Sequence, residues 1–156
     1  MADGVRWLAS ASADDHDVLA RAGGPVVDVG CGPRRHVRAL VAAGVDVLGI
    51  DLTPSVLVLA RDRGTPVLAV SVFDTLPRMG EWQTALLLDG NSALGGDPLR
   101  LLRLLRRLRS VLAPEGQILT DPVSGSPPAL GRLRLRHGGT LGGSARVGKR
   151  TWKGGR

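Results

Sequence analysis

Short apolar runs alternate with amphipathic segments along the first 121 residues of the chain. The apolar runs are continuous rather than alternating in polarity, which is typical of strands buried on both faces of a sheet. Five strands are predicted, at Pro25–Val29, Val45–Ile50, Pro66–Val72, Thr84–Leu88 and Gln117–Thr120. Strand alternating with helix predicts an α/β fold, with a Rossmann-like, doubly wound, mostly parallel sheet and helices on both faces.

The segments around these strands have helical spacing and clear boundaries. Glycine follows three of these segments, as it does past a helix C-terminus. Gly23-Gly24 follows the segment that ends near Ala22, and Gly44 and Gly64 follow the next two. Thr53 can cap the third helix, with Pro54 at its first position. The pair Asp97-Pro98 starts a leucine- and arginine-rich helix, whose arginines we expect to face solvent.

The formal net charge of +7 belongs to the end of the chain. Residues 1–121 carry 13 arginines and 14 acidic residues, a net of −1, whereas residues 122–156 carry six arginines, two lysines and no acid, a net of +8. The basic segment is glycine-rich and has one aromatic residue, Trp152, so it offers little for stacking on bases. We therefore expect a globular domain over residues 1–122 and a basic tail over 123–156, and we do not expect nucleic acid as a partner.

The tail carries little strand-forming pattern. Leu133–Arg136 alternates leucine with arginine and is a candidate for a partial sixth strand, but no convincing seventh strand follows. We expect the last strand or strands of the sheet to be missing or poorly formed, and the rest of the tail to be disordered. An unpaired fifth or sixth strand would leave an exposed edge, which favours self-association.

Composition also limits the compartment and the kinds of site. No apolar run approaches the roughly 18 residues that a membrane helix needs, and the first residues do not have the pattern of a secretory signal, so we expect a cytoplasmic protein with no membrane partner. The single cysteine, Cys31, excludes an intramolecular disulfide and a multi-cysteine metal site. The histidines stand singly, without metal-ligand spacing, and His36 is interpreted as a solvent-facing or capping residue. No metal is predicted.

An aspartate stands at or within two residues of the end of every predicted strand. Ligands of open α/β sheets bind outside the carboxyl ends of the strands, so these carboxylates would lie at or near the ligand edge. Each aspartate could instead be a helix cap or a turn former. They are Asp28, Asp51, Asp74, Asp89 and Asp121.

The first two aspartates have the most specific surroundings. Asp28 precedes the loop Gly30-Cys31-Gly32, and Asp51 ends the next strand, where an acid can accept hydrogen bonds from ribose hydroxyls. A dinucleotide fingerprint would need glycine where this chain has Arg35. An acid beside the loop also suits a cation better than a pyrophosphate. These features favour an adenosine-type ligand with a cationic centre, such as S-adenosylmethionine.

The stretch Val26–Pro33, with Gly49–Asp51 downstream, resembles the class I S-adenosylmethionine-dependent methyltransferases. The resemblance covers roughly residues 20–122 and includes the segments at 72–77, 86–91 and 112–119. It implies S-adenosylmethionine as cofactor and in-line methyl transfer to a small-molecule acceptor. The sequence identifies neither the acceptor nor a catalytic base.

The resemblance also implies positions for a set of cofactor-binding residues. Gly30, Cys31 and Gly32 would form the loop under the methionine part, with Asp28 close to it. Asp51 would hold the ribose hydroxyls, and Leu52, the next residue, would also be one of the cofactor-binding residues. The remaining members are Phe73 and Asp74, which would face the adenine, and Asp89, Gly90 and Asn91, which would line the floor near the sulfonium.

Several features keep other interpretations open. Arg34 stands where such enzymes usually have a third glycine, and its side chain could crowd the cofactor, require a distorted φ or point to solvent. Together with the short C-terminus, it leaves a non-catalytic or degenerate S-adenosylmethionine-binding domain as the main alternative. A nicotinamide-dependent oxidoreductase is less favoured, because of Arg35 and Asp28. We interpret Cys31 as a packing residue rather than a nucleophile, and Trp82 as a core residue.

Overall fold

The computed structural model describes residues 10–55, 58, 64–88, 98–120, 131–134, 145–147 and 150–152. Within these ranges the helices are α1 (Ala13–Leu19), α2 (Arg35–Ala42) and α3 (Pro98–Val111). The strands are β1 (Val26–Val29), β2 (Val47–Asp51), β3 (Val67–Ala69), β4 (Trp82–Leu87), β5 (Leu112–Thr120), β6 (Gly131–Arg134), β7 (Ala145–Val147) and β8 (Arg150–Trp152). Pro54, Ser55 and Val58 are also helical, where the sequence predicts a capped helix.

The described strands form one sheet in the order β3-β2-β1-β4-β5-β6-β7-β8. Strands β1 to β5 pair in parallel, with Asp28 opposite Gly49 on one side and opposite Leu86 on the other. This confirms the predicted Rossmann-like, mostly parallel sheet. Because β2 and β4 both flank β1, the chain reverses its direction of progress across the sheet there, and ligands bind at such a crevice.

Two apolar layers cover the two faces of the parallel strands. Leu104, Leu108 and Val111 of α3 pack with Val27 and the other side chains of that face. Leu19 of α1 joins a second core on the opposite face, in which Val37 and Leu40 of α2 pack with Val26 and Val47. Alternation along β1 sends Val26 and Val27 to opposite faces. The helices therefore flank both faces, as the alternating pattern predicts.

Short antiparallel strands extend the sheet beyond β5. β6 pairs with β5 from Thr120 opposite Gly131 to Gln117 opposite Arg134, and β7 and β8 continue the antiparallel series. The expectation that no strand follows the sixth is therefore wrong. These strands have only three or four residues. They are defined by backbone pairing onto an existing edge, which a search for apolar runs does not detect.

The pairing also changes where the sheet ends. β5 and β6 each have a partner on both sides, so neither is the exposed edge that the sequence suggested for self-association. Residues 131–134 belong to the same sheet as the rest of the fold, and the domain boundary after residue 122 stays a prediction. The disorder expected elsewhere in the tail falls on residues outside the described ranges.

The largest differences from the predicted strand boundaries are in β5 and β3. β5 begins at Leu112 rather than Gln117, with an irregularity in its pairing with β4 between Trp82 and Thr84. β3 has three residues, and the described connection from it to β4, residues 70–81, contains no helix.

In the part of the chain described, no helix has the length and apolar character needed to cross a membrane.

Candidate functional site

The loop after β1 has a backbone that requires glycine. Gly30 and Gly32 have φ values of 67° and 50°, in the left-handed region that side chains disfavour. The amides of Gly30 and Cys31 both donate to the carbonyl oxygen of Ile50, at 2.8 and 3.1 Å. Among the residues that the structure describes, a Cβ built on Gly32 would approach only the Gly30 carbonyl oxygen, at 4.0 Å. The loop is thus held against the end of β2 while the space over Gly32 stays open.

Asp51 ties the end of β2 to this loop. Its Oδ2 accepts a hydrogen bond from the Gly32 amide at 2.9 Å, and its Oδ1 accepts one from the Thr53 amide at 2.7 Å. Burial raises the pKa of this carboxyl, but the hydrogen bonds from Thr53 and Gly32 outweigh it and leave the pKa below its usual value. Each oxygen of an ionised carboxylate can accept more than one hydrogen bond. The side chain therefore retains capacity for hydroxyl donors.

Arg34, at the position of the usual third glycine, has a φ of 72°, so a non-glycine residue here has the left-handed backbone. Its side chain is 3 % exposed, and Nη1 donates to Thr65 Oγ1 at 3.3 Å. Of the alternatives raised by the sequence, the distorted φ is confirmed and the solvent-facing side chain is wrong. The guanidinium packs beside the start of β3.

A buried charged cluster joins α1, α2 and β1. The Arg35 guanidinium donates to both oxygens of Asp15, at 3.1 and 3.3 Å. His36 Nε2 lies 3.4 Å from Asp15 Oδ1, and His36 Nδ1 lies 3.9 Å from Asp28 Oδ2. The interpretation of His36 as a solvent-facing residue is wrong, because its side chain is only 3 % exposed. The first turn of α2 directs it inward, between two carboxylates.

Asp15 was not singled out from the sequence. It completes a capping box with Ser12, whose hydroxyl accepts from the Asp15 amide while the Asp15 carboxylate accepts from the Ser12 amide. Burial raises the pKa of Asp15, but hydrogen bonds from Ser12 and Arg35 lower it to about 2. The Ser-x-x-Asp spacing could have marked the helix start. Only the fold places this carboxylate beside the helix that follows the glycine loop.

Cys31 is buried within the loop and packs in the same core as Val37 and Leu40. Burial, and then the negative charges of Asp28 and Asp51, raise the pKa of its thiol. A thiol held neutral is a poor nucleophile. The structure therefore agrees with its interpretation as a packing residue.

Three predicted adenine-side or ribose-side residues lie after β2 and β3. Leu52 directly follows β2 and is 65 % exposed, and Phe73, four residues after the end of β3, is 47 % exposed. Asp74 Oδ2 accepts from the Ser71 amide at 2.8 Å, so its carboxylate closes a local turn. Leu52 therefore lies beside Asp51 at the carboxyl edge of the sheet, and Phe73 and Asp74 lie in the connection that leaves β3.

Arg107 of α3 holds the segment that contains Phe73. Its Nε donates to the Val72 carbonyl oxygen at 2.7 Å, and its Nη2 donates to that of Asp74. Arg100, Arg103 and Arg106 are exposed, as expected, whereas Arg107 is half-buried and makes these contacts. It lies three residues after buried Leu104 and four before buried Val111. That helical spacing could have placed it at the border of the core-facing stripe.

The structure brings together part of the predicted site. Asp28, the glycine loop and Asp51 meet at the ends of β1 and β2, where Leu52 directly follows Asp51, whereas Phe73 and Asp74 lie in the connection after β3. Trp82 is buried as predicted, with Nε1 donating to the Pro77 carbonyl oxygen at 2.9 Å. Within the described ranges, no group of three potential metal ligands is present. Asp89, Gly90, Asn91 and Asp121 lie outside the described residues.

Comparison with known proteins gives matches among solved structures. No protein-family model and no curated protein matches the chain. A SAM-dependent methyltransferase from Bacteroides fragilis, solved with S-adenosyl-L-homocysteine, is 25 % identical, with a TM-score of 0.65 over 84 % of this chain and 61 % of that one. Glycopeptide N-methyltransferase MtfA with S-adenosylmethionine is 18 % identical, with a TM-score of 0.61 over 82 % and 68 %.

A SAM-dependent methyltransferase from Thermotoga maritima is 19 % identical, with a TM-score of 0.59 over 78 % of this chain and 57 % of that one. The chain spans about three fifths of the length of the Bacteroides fragilis enzyme. The chain has the Rossmann-like fold of the class I S-adenosylmethionine-dependent methyltransferases.

Proposed function

We propose that the chain is an S-adenosylmethionine-dependent methyltransferase that transfers a methyl group to a small-molecule acceptor. The observation that carries the proposal is the joined pair of glycine loop and strand-end acid. The Gly32 amide donates to Asp51, and among the described residues nothing fills the space above Gly32. The likeness to structures solved with S-adenosylmethionine or S-adenosyl-L-homocysteine supports the same ligand here.

The residues present suit the cofactor chemically. The depressed pKa of Asp51 keeps it ionised at neutral pH, so that it can accept hydrogen bonds from the two ribose hydroxyls. Gly30 and Gly32 allow the methionine part to approach the backbone where a side chain would block it. Leu52, directly after β2, and Phe73, in the connection after β3, offer exposed apolar surface for the adenine.

Charge at the loop favours a cationic ligand. Asp28 is 2 % exposed and faces His36 across 3.9 Å, so we assign it a role in supporting the loop and its negative potential. When bound, S-adenosylmethionine supplies a methyl group activated by its sulfonium. The chain's own contribution is to bind and orient, since proximity and alignment carry most of the rate in such a displacement. Asp89, Gly90 and Asn91 are proposed to line the floor of the site near the sulfonium.

Calorimetric titration tests the proposal with S-adenosylmethionine, S-adenosyl-L-homocysteine and NAD on a sample shown to be folded. We expect micromolar binding of the first two and no binding of NAD. Tight binding of NAD would instead support a nicotinamide-dependent oxidoreductase. Absence of binding of both sulfur-containing ligands by folded protein would contradict the proposal.

Activity needs a separate measurement, because binding alone does not distinguish an enzyme from a non-catalytic cofactor-binding domain. We expect conversion of S-adenosylmethionine to S-adenosyl-L-homocysteine when the protein is incubated with a panel of small amines, phenols and carboxylates. The product is measured by mass spectrometry, and boiled protein is the control. Binding without any acceptor-dependent conversion would support the non-catalytic alternative.

A further inference from the structure

Phe73 combines exposure with restraint. Its side chain is 47 % exposed, and it lies in a connection of twelve residues, 70–81, that contains no helix. Residues on such connections are usually more mobile than those in helices and strands. Here both the backbone and the ring of Phe73 are held by α3.

The backbone restraint comes from one guanidinium. Arg107 donates to the carbonyl oxygens of Val72 and Asp74, the two residues that flank Phe73. Its Nη2 also lies 3.8 Å from the sulfur of Met79. Hydrogen bonds from a charged donor are stronger than neutral ones, and two of them to neighbouring peptide groups fix the orientation of the intervening residue.

The ring restraint comes from the preceding turn of the same helix. The Arg103 guanidinium carbon lies 5.1 Å from the centroid of the Phe73 ring, within the range of a cation–π contact. Arg103 and Arg107 are four residues apart, so they project from the same side of α3. One helical turn therefore holds the peptide groups of Phe73 and its ring at the same time.

We propose that Arg103 and Arg107 are positioning residues that hold Phe73 as a preformed stacking surface for the purine ring of the cofactor. This inference rests on the proposed function, and it adds two helix residues that hold the adenine-binding side chain in place. A preformed surface raises affinity because the conformational entropy of ordering the loop is not lost at the moment of binding. An aromatic face offers stacking with any purine, and Phe73 lies in the connection that follows β3, the strand that pairs with β2 and its terminal Asp51.

A double-mutant cycle on binding of S-adenosyl-L-homocysteine tests the assignment. We expect Arg107→Gln to weaken binding by about tenfold or more, the scale of hydrogen bonds to a charged group. Arg103→Gln should weaken it by about two- to fivefold, the scale of an exposed cation–π contact. Combined with Phe73→Leu, either change should cost much less than it does alone, because the residue being positioned is already lost.

Controls separate positioning from general destabilisation. Arg106→Gln alters an exposed arginine of the same helix and should leave affinity unchanged. Arg107→Gln combined with Asp51→Ala should weaken binding by the product of the single effects, since Asp51 acts on the ribose side. Melting temperatures of all variants are measured without ligand, and Arg103→Gln remains informative if Arg107→Gln does not fold, because Arg103 is exposed.

The results distinguish support for the assignment, its failure, and failure of the proposed function. Coupling of Arg107 or Arg103 to Phe73, without coupling to Asp51, supports the assignment. Unchanged affinity in both arginine variants, or independent effects of arginine and Phe73, overturns it while wild-type binding still stands. If the folded wild-type protein itself binds no S-adenosyl-L-homocysteine, the proposed function fails, and this inference fails with it.

Discussion

The backbone amide of Gly32 donates a 2.9 Å hydrogen bond to the carboxylate of Asp51, which joins the loop after β1 to the end of β2. One contact thus orients both parts of the candidate cofactor site. The loop amide fixes the carboxylate, and the carboxylate fixes a loop whose left-handed backbone needs support.

Replacement of Asp51 should weaken cofactor binding. For Asp51→Ala we expect the affinity for S-adenosyl-L-homocysteine to fall by roughly 1.5–3 kcal/mol, the scale of hydrogen bonds to a charged group. Calorimetric titration measures the effect, and Asp17→Ala, at an exposed aspartate of α1, is the matched control. Equal affinity in Asp51→Ala and wild type would show that the ribose assignment is wrong.

The left-handed backbone at Arg34 should be measurable by comparing two truncations. Arg34→Gly and Arg34→Ala both remove the contact with Thr65, but only glycine adopts a φ of 72° without a Cβ penalty. We expect the glycine variant to be more stable than the alanine variant by about 1 kcal/mol. Urea denaturation of the pair provides the measurement. An alanine variant as stable as the glycine variant would refute the left-handed conformation at this position.

Gly49 is required by close packing rather than by its backbone angles. A Cβ at this position would lie 2.8 Å from Cys31 Sγ and 3.0 Å from Val37 Cγ2. We expect Gly49→Ala to destabilise the protein by about 1–3 kcal/mol, as overpacked cores do. Gly23→Ala is the control, because a Cβ there meets no atom of the described ranges within 4 Å.

Since Cys31 belongs to the glycine loop proposed to hold the cofactor, Gly49→Ala should also weaken binding of S-adenosyl-L-homocysteine. Denaturation and titration of the same samples give both quantities. A variant with wild-type stability would mean that the loop and α2 can move apart freely at this point.

The contact between Asp15 and Arg35 should appear in the acid stability of the protein. The pKa of Asp15 is lowered from 3.8 to about 2, so its contribution is fully present above pH 3.8 and is lost as the pH falls toward 2. We expect Asp15→Asn to lower the melting temperature near neutral pH, and its difference from wild type to shrink across this window. Melting curves at several pH values test this, with Asp17→Asn as the control. A difference that stays constant down to pH 2 would contradict it.

Removal of residues 123–156 tests the predicted domain boundary. The deletion takes away β6 and leaves the edge of β5 unpaired over Gln117 to Thr120. We expect a lower melting temperature than that of the full chain, because backbone hydrogen bonds along this edge are lost. A melting temperature equal to that of the full chain would instead support a domain that ends at residue 122.

Local patterns were sufficient for the parallel part of the fold. Each continuous apolar run from Val26 to Ile118 became a strand of the sheet, because burial on both faces leaves a signal in consecutive residues. The glycine loop and Asp51 were also predictable. Turn chemistry and strand ends are local properties, and the sheet topology places the carboxyl ends of parallel strands at one edge.

The contacts around the site depended on residues distant in sequence. His36 lies between Asp15 and Asp28, and Arg107 reaches carbonyl groups 33 and 35 residues earlier. Single arginines and histidines carry no sign of their partners, so the exposed positions expected for His36 and Arg107 were wrong. β6, at Gly131–Arg134, overlaps the partial sixth strand predicted at Leu133–Arg136. β7 and β8 escaped prediction for a related reason, because their pairing depends on the edge that β6 presents.

The sequence by itself determined the alternation of strands and helices along the chain, the doubly wound sheet and the acids at the ends of its strands. Hydrophobic periodicity, glycines and strand-end acids reflect interactions between residues close in sequence, so they can be recognised without knowing the fold. Tertiary structure alone decided that Arg34 is buried beside Thr65, that α1 is tied to α2 through Asp15, and that α3 holds Phe73. These are long-range contacts, and their partners are chosen by the packing of helices on the sheet rather than by the residues that adjoin them.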